Sequence, residues 1–500
     1  MTEEKLTKKG FILNSSKVLF STLFLNFFGI IQGIVVANLL GPGLFGVKNA
    51  LQMILDYGSN IHLGSLKNFS KKRQTYEFSN LKKRDYFTNL TFTFLFLVSL
   101  LSMVAGIIAF FVLSYSLSTR LSVLILGFLI PIYLYCSFFG VILQSKSDFK
   151  TIFKTNILQG IVVILFVVAF VELFGVPGFF FGTLLGLIIV LLYQYFFVKS
   201  NLKLVFNVKG FILLIRGGFW VFLLSLMYLI FFGIDRVFIL FGYGGLELGY
   251  YAVGLFFGSI IYLFINTLLV PFVPQIYQNL SKLDLLKKLI IAPTKIIACF
   301  SYFIAFLVLF LLPFIIFILP EYGLSTEYIN ILVFSMLFFP VLITNYYIGK
   351  NKELFLIKVS TIFIILIVLL NCLVLFFELR PVFIAYTTML SIFFYGLTVN
   401  YFGYKELLGS KILALKEVFN YLFPFFYGLV GYGLLWFLAH FWLYGFINYY
   451  IVKIIQAVLF TTWYLPILWR IEKEHRIWRL ILDYFKGKMN KKIKIEVNNI

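Results

Sequence analysis

LLGPGLFGVKNA at residues 39–50 recurs as LFGYGGLELGYYA at 240–252. Gly41 matches Gly242 at an offset of 201, and Gly46 matches Gly249 at 203, after a two-residue insertion. Each copy sits between two long apolar runs and supplies the glycines that a tight helix–helix turn needs. Six runs separate the copies. An even number brings the chain back to the same face of a membrane, so the halves read as parallel repeats about an axis along the membrane normal.

The apolar runs are about fourteen: 18–40, 45–66, 86–113, 121–143, 152–173, 178–198, 212–240, 249–272, 294–319, 328–349, 354–377, 382–404, 419–440 and 445–468. Most reach the roughly 20 residues that cross a hydrocarbon core of about 30 Å. Strands of alternating hydrophobicity are absent, which excludes a transmembrane barrel. The expected fold is all-α and polytopic. An N-terminal lobe (1–200) and a second lobe (201–417) carry six helices each. Two appended helices (418–468) and a basic amphipathic tail (469–500) follow.

Charge fixes the expected orientation. Of 42 Lys and Arg, 37 fall in alternate connections or the two termini, starting with the N-terminus. Only Arg120 and Arg380 fall in the opposite loops, and Lys48, Arg236 and Lys453 lie at membrane depth. By the positive-inside rule both termini are cytoplasmic. The net charge of +22 therefore reports topology, and no nucleic-acid partner is expected. Cys136, Cys299 and Cys372 are scattered through apolar runs with no metal-ligand spacing. No nucleotide-binding GxxxxGK[ST] motif occurs. No catalytic set, metal site or cofactor is expected.

Charges at membrane depth cost roughly 2.5–3.5 kcal/mol each on insertion scales and face a wet cavity or one another. Lys48 and Asp56 lie near one face of helix 2, about 12 Å apart along it. His62 follows near its inner end, where solvent is the expected partner. Helix 7 carries Arg216 and then Asp235-Arg236, which point about 100° apart. Asn26 and Gln32 give helix 1 a polar stripe. These residues (Lys48, Asp56, Arg216, Asp235, Arg236, Asn26 and Gln32) are the candidate substrate cavity. Three cations among them favour an anion over a cationic drug.

LGPGLFG after helix 1, Asp235-Arg236 in helix 7, LELGYYAVG opening helix 8 and LLVPFVPQIYQNLSK at 268–282 resemble the Wzx-type flippases of O-antigen and other polysaccharide repeat units. Those belong to the exporter superfamily that includes the lipid II flippase MurJ and the MATE multidrug exporters. Fourteen helices rather than the commoner twelve is similar to MurJ. The resemblance implies two six-helix lobes around a central cavity in a bacterial inner membrane. Its implied substrate is an undecaprenyl-diphosphate-linked oligosaccharide, moved outward by alternating access for lipopolysaccharide or a related surface polymer. It also implies contact with membrane lipid, H+ or Na+ as coupling ion, and other polysaccharide-assembly membrane proteins as partners. The alternatives are a MATE-like cation-coupled exporter, a lipid II flippase or, less favoured, a membrane glycan polymerase.

Overall fold

A computed structural model describes residues 8–77, 80–198, 200–269, 272–443 and 448–475. The chain is all-helical, with no strand among the described residues. In order the helices are α1 (Lys8–Gly58), α2 (Ser65–Tyr76), α3 (Leu81–Val112), α4 (Leu117–Ser145), α5 (Phe149–Phe174) and α6 (Val176–Val198). Next come α7 (Val208–Phe231), α8 (Ile234–Tyr243), α9 (Gly245–Leu269), α10 (Phe272–Gln278), α11 (Leu283–Ile318) and α12 (Ser325–Ser335). The last are α13 (Val341–Gly349), α14 (Glu353–Phe376), α15 (Val382–Leu408), α16 (Lys411–Leu438) and α17 (Tyr449–His475).

Thirteen helical stretches among the described residues are long and apolar enough to cross a membrane. The first, Phe20–Gly58, holds two crossings. A straight 51-residue α1 would be about 76 Å long, more than twice the hydrocarbon thickness. Gly41 breaks it, with φ 65° and ψ 170°, a conformation open to glycine and strained for other residues. Pro42 follows and has no N–H to carry the helical ladder across the break. Within Phe20–Gly58 the two arms run about 30 Å and 25 Å. Counted so, the described residues of this multi-pass membrane protein hold fourteen stretches able to cross a membrane.

Local signals set the starts. The side chains of Asn80, Ser116, Asp148, Asn207 and Ser410 each accept a hydrogen bond from the backbone N–H three residues on, covering a donor that the first helical turn leaves orphaned. Three features depart from the sequence reading. The seventh run is split at Phe232-Gly233 into α7 and α8. The tenth is split by a 3-10 turn at Met336–Phe338 into α12 and α13. The ninth run starts earlier than its apolar stretch, because LLKKLI (285–290) is continuous with α11. The basic tail lies mostly outside the described residues.

By packing the chain forms two compact units. One comprises Met1–Pro271, Leu319–Phe339 and Thr344–Val399; the other Phe272–Ile318, Pro340–Ile343 and Asn400–Ile500. In the first, α5 packs on α6 and α1, α1 on α9, α3 on α4, α9 on α12 and α7 on α14. In the second, α11 packs on α16 and α17 through rings that include Tyr302, Phe306, Phe425 and Phe460.

The two copies of the repeat meet inside the first unit. A methyl group on Gly46 would lie 1.8 Å from the carbonyl oxygen of Gly245, and one on Gly249 would lie 1.8 Å from that of Pro42. Pro42 and Gly245 share the offset of 203 that relates Gly46 to Gly249. The contact is therefore reciprocal, as for two turns related by a two-fold axis. Only glycine lets the backbones come this close.

Candidate functional site

Within the first unit α1, α4, α5, α6 and α9 line a cavity of about 330 Å³. Its polar lining is neutral: Asn26, Gln32, Gln52 and Gln159 supply amides, and Thr183 and Ser259 hydroxyls. Phe28, Phe179, Phe256 and Tyr133 supply rings. Asn26 Nδ2 donates to Thr267 Oγ1 at 3.4 Å, tying the first arm of α1 to α9. Gln52 Nε2 donates to Asp56 Oδ1 at 3.2 Å, one helical turn on.

At the edge of this cavity lie the charges. Asp56 Oδ2 stands 4.0 Å from the guanidinium of Arg236, with Asp56 about a third exposed and Arg236 17% exposed. Arg236 Nη2 donates to the carbonyl of Phe232 at 3.3 Å, a group left without its usual partner where α7 breaks. Its Nε is buried with no hydrogen bond. The break thus aims Arg236 at the second arm of α1. Lys48 Nζ lies over the ring of Phe179, 4.4 Å from its centroid, and 5.6 Å from that of Phe45. Aromatic faces stabilise an ammonium that has left bulk water, and Phe179 is itself a cavity wall.

Asp235 points elsewhere. It is 1% exposed, and its carboxylate accepts hydrogen bonds from the Arg236 N–H at 2.7 Å, from Thr388 Oγ1 at 3.3 Å and from the Tyr251 hydroxyl. Arg216 is exposed on α7. Of the seven candidates, Asn26 and Gln32 line the cavity, while Asp56, Arg236 and Lys48 gather beside it. Asp235 is turned into the helix packing, and Arg216 lies apart. The adjacent Asp235 and Arg236 have separate partners because successive helical residues diverge by about 100°.

His62, expected in solvent, is buried at 6% exposure. Its Nδ1 accepts from the Gly64 N–H at 3.1 Å. Burial, with Lys67 nearby, pulls its pKa down to about 4. Sequence reasoning missed Gln52, Tyr133 and Gln159. Each is a polar side chain inside an apolar run, the signal that selected Asn26 and Gln32.

The described residues contain no cluster of His, Cys, Asp and Glu able to hold a metal ion. No curated protein sequence matches the chain significantly. Among solved structures, the fold is similar to the lipid II flippase MurJ in an inward closed conformation, at TM-score 0.71 and 15% identity over 93% of this chain and 99% of that one. It is also similar to a MATE-family multidrug resistance transporter of the MOP superfamily. In the inward-facing form the TM-score is 0.62 at 12% identity, over 79% of this chain and 98% of that one. In the outward-facing form it is 0.58 at 12% identity, over 79% and 94%. At these identities the likeness concerns fold. Residues 11–280 match the family model described as polysaccharide biosynthesis protein; this is more than half of the chain, which therefore belongs to that family.

Proposed function

We propose that the protein is a flippase that carries undecaprenyl-diphosphate-linked oligosaccharide repeat units across a bacterial inner membrane by alternating access, with both termini cytoplasmic. The observation that carries this reading is a polar cavity at membrane depth, edged by Lys48 and by the Asp56–Arg236 pair, in a chain of the polysaccharide biosynthesis family. A diphosphate–sugar headgroup cannot cross a hydrocarbon core of about 30 Å alone. It needs cations for phosphate oxygens, amides for hydroxyls, and a route on which the polyprenyl tail stays in lipid. The energy source in this reading is a proton or sodium gradient.

A cavity for cationic drugs should be acidic and aromatic, whereas no Asp or Glu lines this one. Lipid II, the substrate in the name of the similar MurJ structure, is the nearest competitor and enters the test. In cells lacking the protein, lipid-linked repeat units should accumulate on the cytoplasmic leaflet and surface polymer should disappear, while lipid II translocation continues. Normal arrival of the intermediate at the outer leaflet, with only polymer length altered, would replace the flippase reading by a polymerase or chain-length role. Stalled lipid II would reassign the substrate.

A further inference from the structure

Gln32 and Gln159 have no hydrogen-bond partner among the described residues, although both line the cavity. An amide at membrane depth with no protein partner is costly unless water or a ligand meets it. Gln52 offers a further amide, with only one of its N–H groups engaged by Asp56. The rings of Phe28, Phe256 and Tyr133 line the same cavity. Neutral donors and acceptors beside aromatic faces suit a ring that carries hydroxyls on its rim and C–H bonds on its faces. They supply no countercharge. Arg236 stands outside the lining, 4.0 Å from Asp56, and Lys48 is outside the polar lining as well, held on Phe179.

Resting on the flippase reading, we propose that this cavity is a sugar-reading subsite selective for an uncharged sugar ring, such as a hexose or N-acylated aminohexose, with Lys48 at its rim taking the phosphate. A volume of about 330 Å³ is at the low end of small-molecule pockets, roughly 300–1,000 Å³. It holds the sugar next to the diphosphate and leaves the remainder of the repeat unit outside. A uronic acid placed here would bury a carboxylate among neutral amides, and a buried charge without a partner is strongly disfavoured. The subsite therefore sets specificity by what it omits as much as by what it offers.

The test uses the full-length protein in lipid nanodiscs with three probes: bare undecaprenyl diphosphate, its N-acetylglucosamine conjugate and its glucuronic acid conjugate. Wild-type protein should bind the N-acetylglucosamine conjugate about tenfold more tightly than the bare lipid, the gain expected from one or two neutral hydrogen bonds. It should discriminate against the glucuronic acid conjugate by at least as much. Gln32→Leu with Gln159→Leu should erase the preference for the neutral sugar over the bare lipid; Lys48→Met should weaken all three probes together. Gln159→Lys, which adds a cation, should raise affinity for the glucuronic acid conjugate. Equal binding of the neutral and acidic conjugates by wild type, or a sugar preference that survives the double Leu variant, overturns the subsite while the flippase reading stands. Failure of wild type to bind any diphosphate lipid overturns the flippase reading itself, and the subsite with it.

Discussion

The Asp56–Arg236 pair spans 4.0 Å with Asp56 about a third exposed, so its mutual attraction is modest, on the order of 1 kcal/mol. A double-mutant cycle on thermal unfolding, with Asp56→Asn and Arg236→Gln, should return a coupling of that size. If Arg236 also meets the phosphates, Arg236→Ala should reduce transport tenfold or more, the cost of a charged hydrogen bond. Arg236→Lys should recover part of it, keeping the charge but losing the planar fork. Wild-type export in both variants would remove Arg236 from the substrate path. His62 gives a pH signature. Its pKa falls from an ordinary 6.5 to about 4 on folding, so between these values the unfolded chain binds more protons, and stability rises with pH. The stabilisation is complete above pH 6.5 and is lost as pH falls toward 4, with a total on the order of 3 kcal/mol. His62→Gln should flatten the difference in melting temperature across that window; an unchanged slope would mean that His62 is hydrated.

Elements meet through backbone, and glycine decides where. Besides the reciprocal turn contact of Gly46 and Gly249, α2 docks on α7 in the same way. A methyl on Gly218 would lie 2.1 Å from the carbonyl oxygen of Gly64. Asn68, 3% exposed, donates to the carbonyls of Leu213 and Leu214, both at 3.0 Å. The opposite face of α2 is locked by Arg73, which is 2% exposed and reaches Glu77 at 3.3 Å, Ser145 Oγ at 2.8 Å and Thr88 Oγ1 at 2.5 Å. α2 is thus anchored to α3 and α4 on one side and pressed against α7 on the other. Gly46→Ala or Gly249→Ala must push the two turns apart, a change of the kind that costs roughly 1–3 kcal/mol in a packed interior. Asn68→Ala should free α2 from α7 and leave the turns in place. Thiol-labelling rates at cysteines placed at Leu44 and Lys67 separate the effects. The glycine variants should speed labelling at Leu44, and Asn68→Ala at Lys67. Acceleration at both positions in every variant would mean that the contacts are not independent.

For the molecule as a whole, hydropathy and turn chemistry made the membrane-length helices and the two repeated turns legible, because length and glycine position are properties of the sequence alone. Helix rotation was not legible. Lipid tails and protein interior are both apolar, so a membrane helix shows little contrast between its lipid face and its packed face. Gln159 and Asp235 therefore look alike in sequence, yet one faces a cavity and the other is sealed beside Tyr251. The breaks at Gly233 and at 336–340 were hidden because the apolar run continues through each, and at the first the freed Phe232 carbonyl is met by Arg236 of the same run. Orientation, by contrast, rests wholly on the charge asymmetry, with 37 of 42 basic residues in alternate connections or termini, and it can be tested with the two turns that meet. In a cysteine-free background of the intact cell, a membrane-impermeant maleimide should label a cysteine at Leu44 or Leu246, both exposed in the meeting turns. It should not label one at Lys72 or Lys287 until the membrane is permeabilised. A short thiol cross-linker added outside should join cysteines at Leu44 and Leu246 within one chain and stop transport, with activity returning when a cleavable linker is cut. The reverse labelling pattern would invert the protein. Labelling of Leu44 and Lys72 from the same side would break the count of crossings between them. Free transport in the cross-linked state would show that these turns need not part for the cargo to leave.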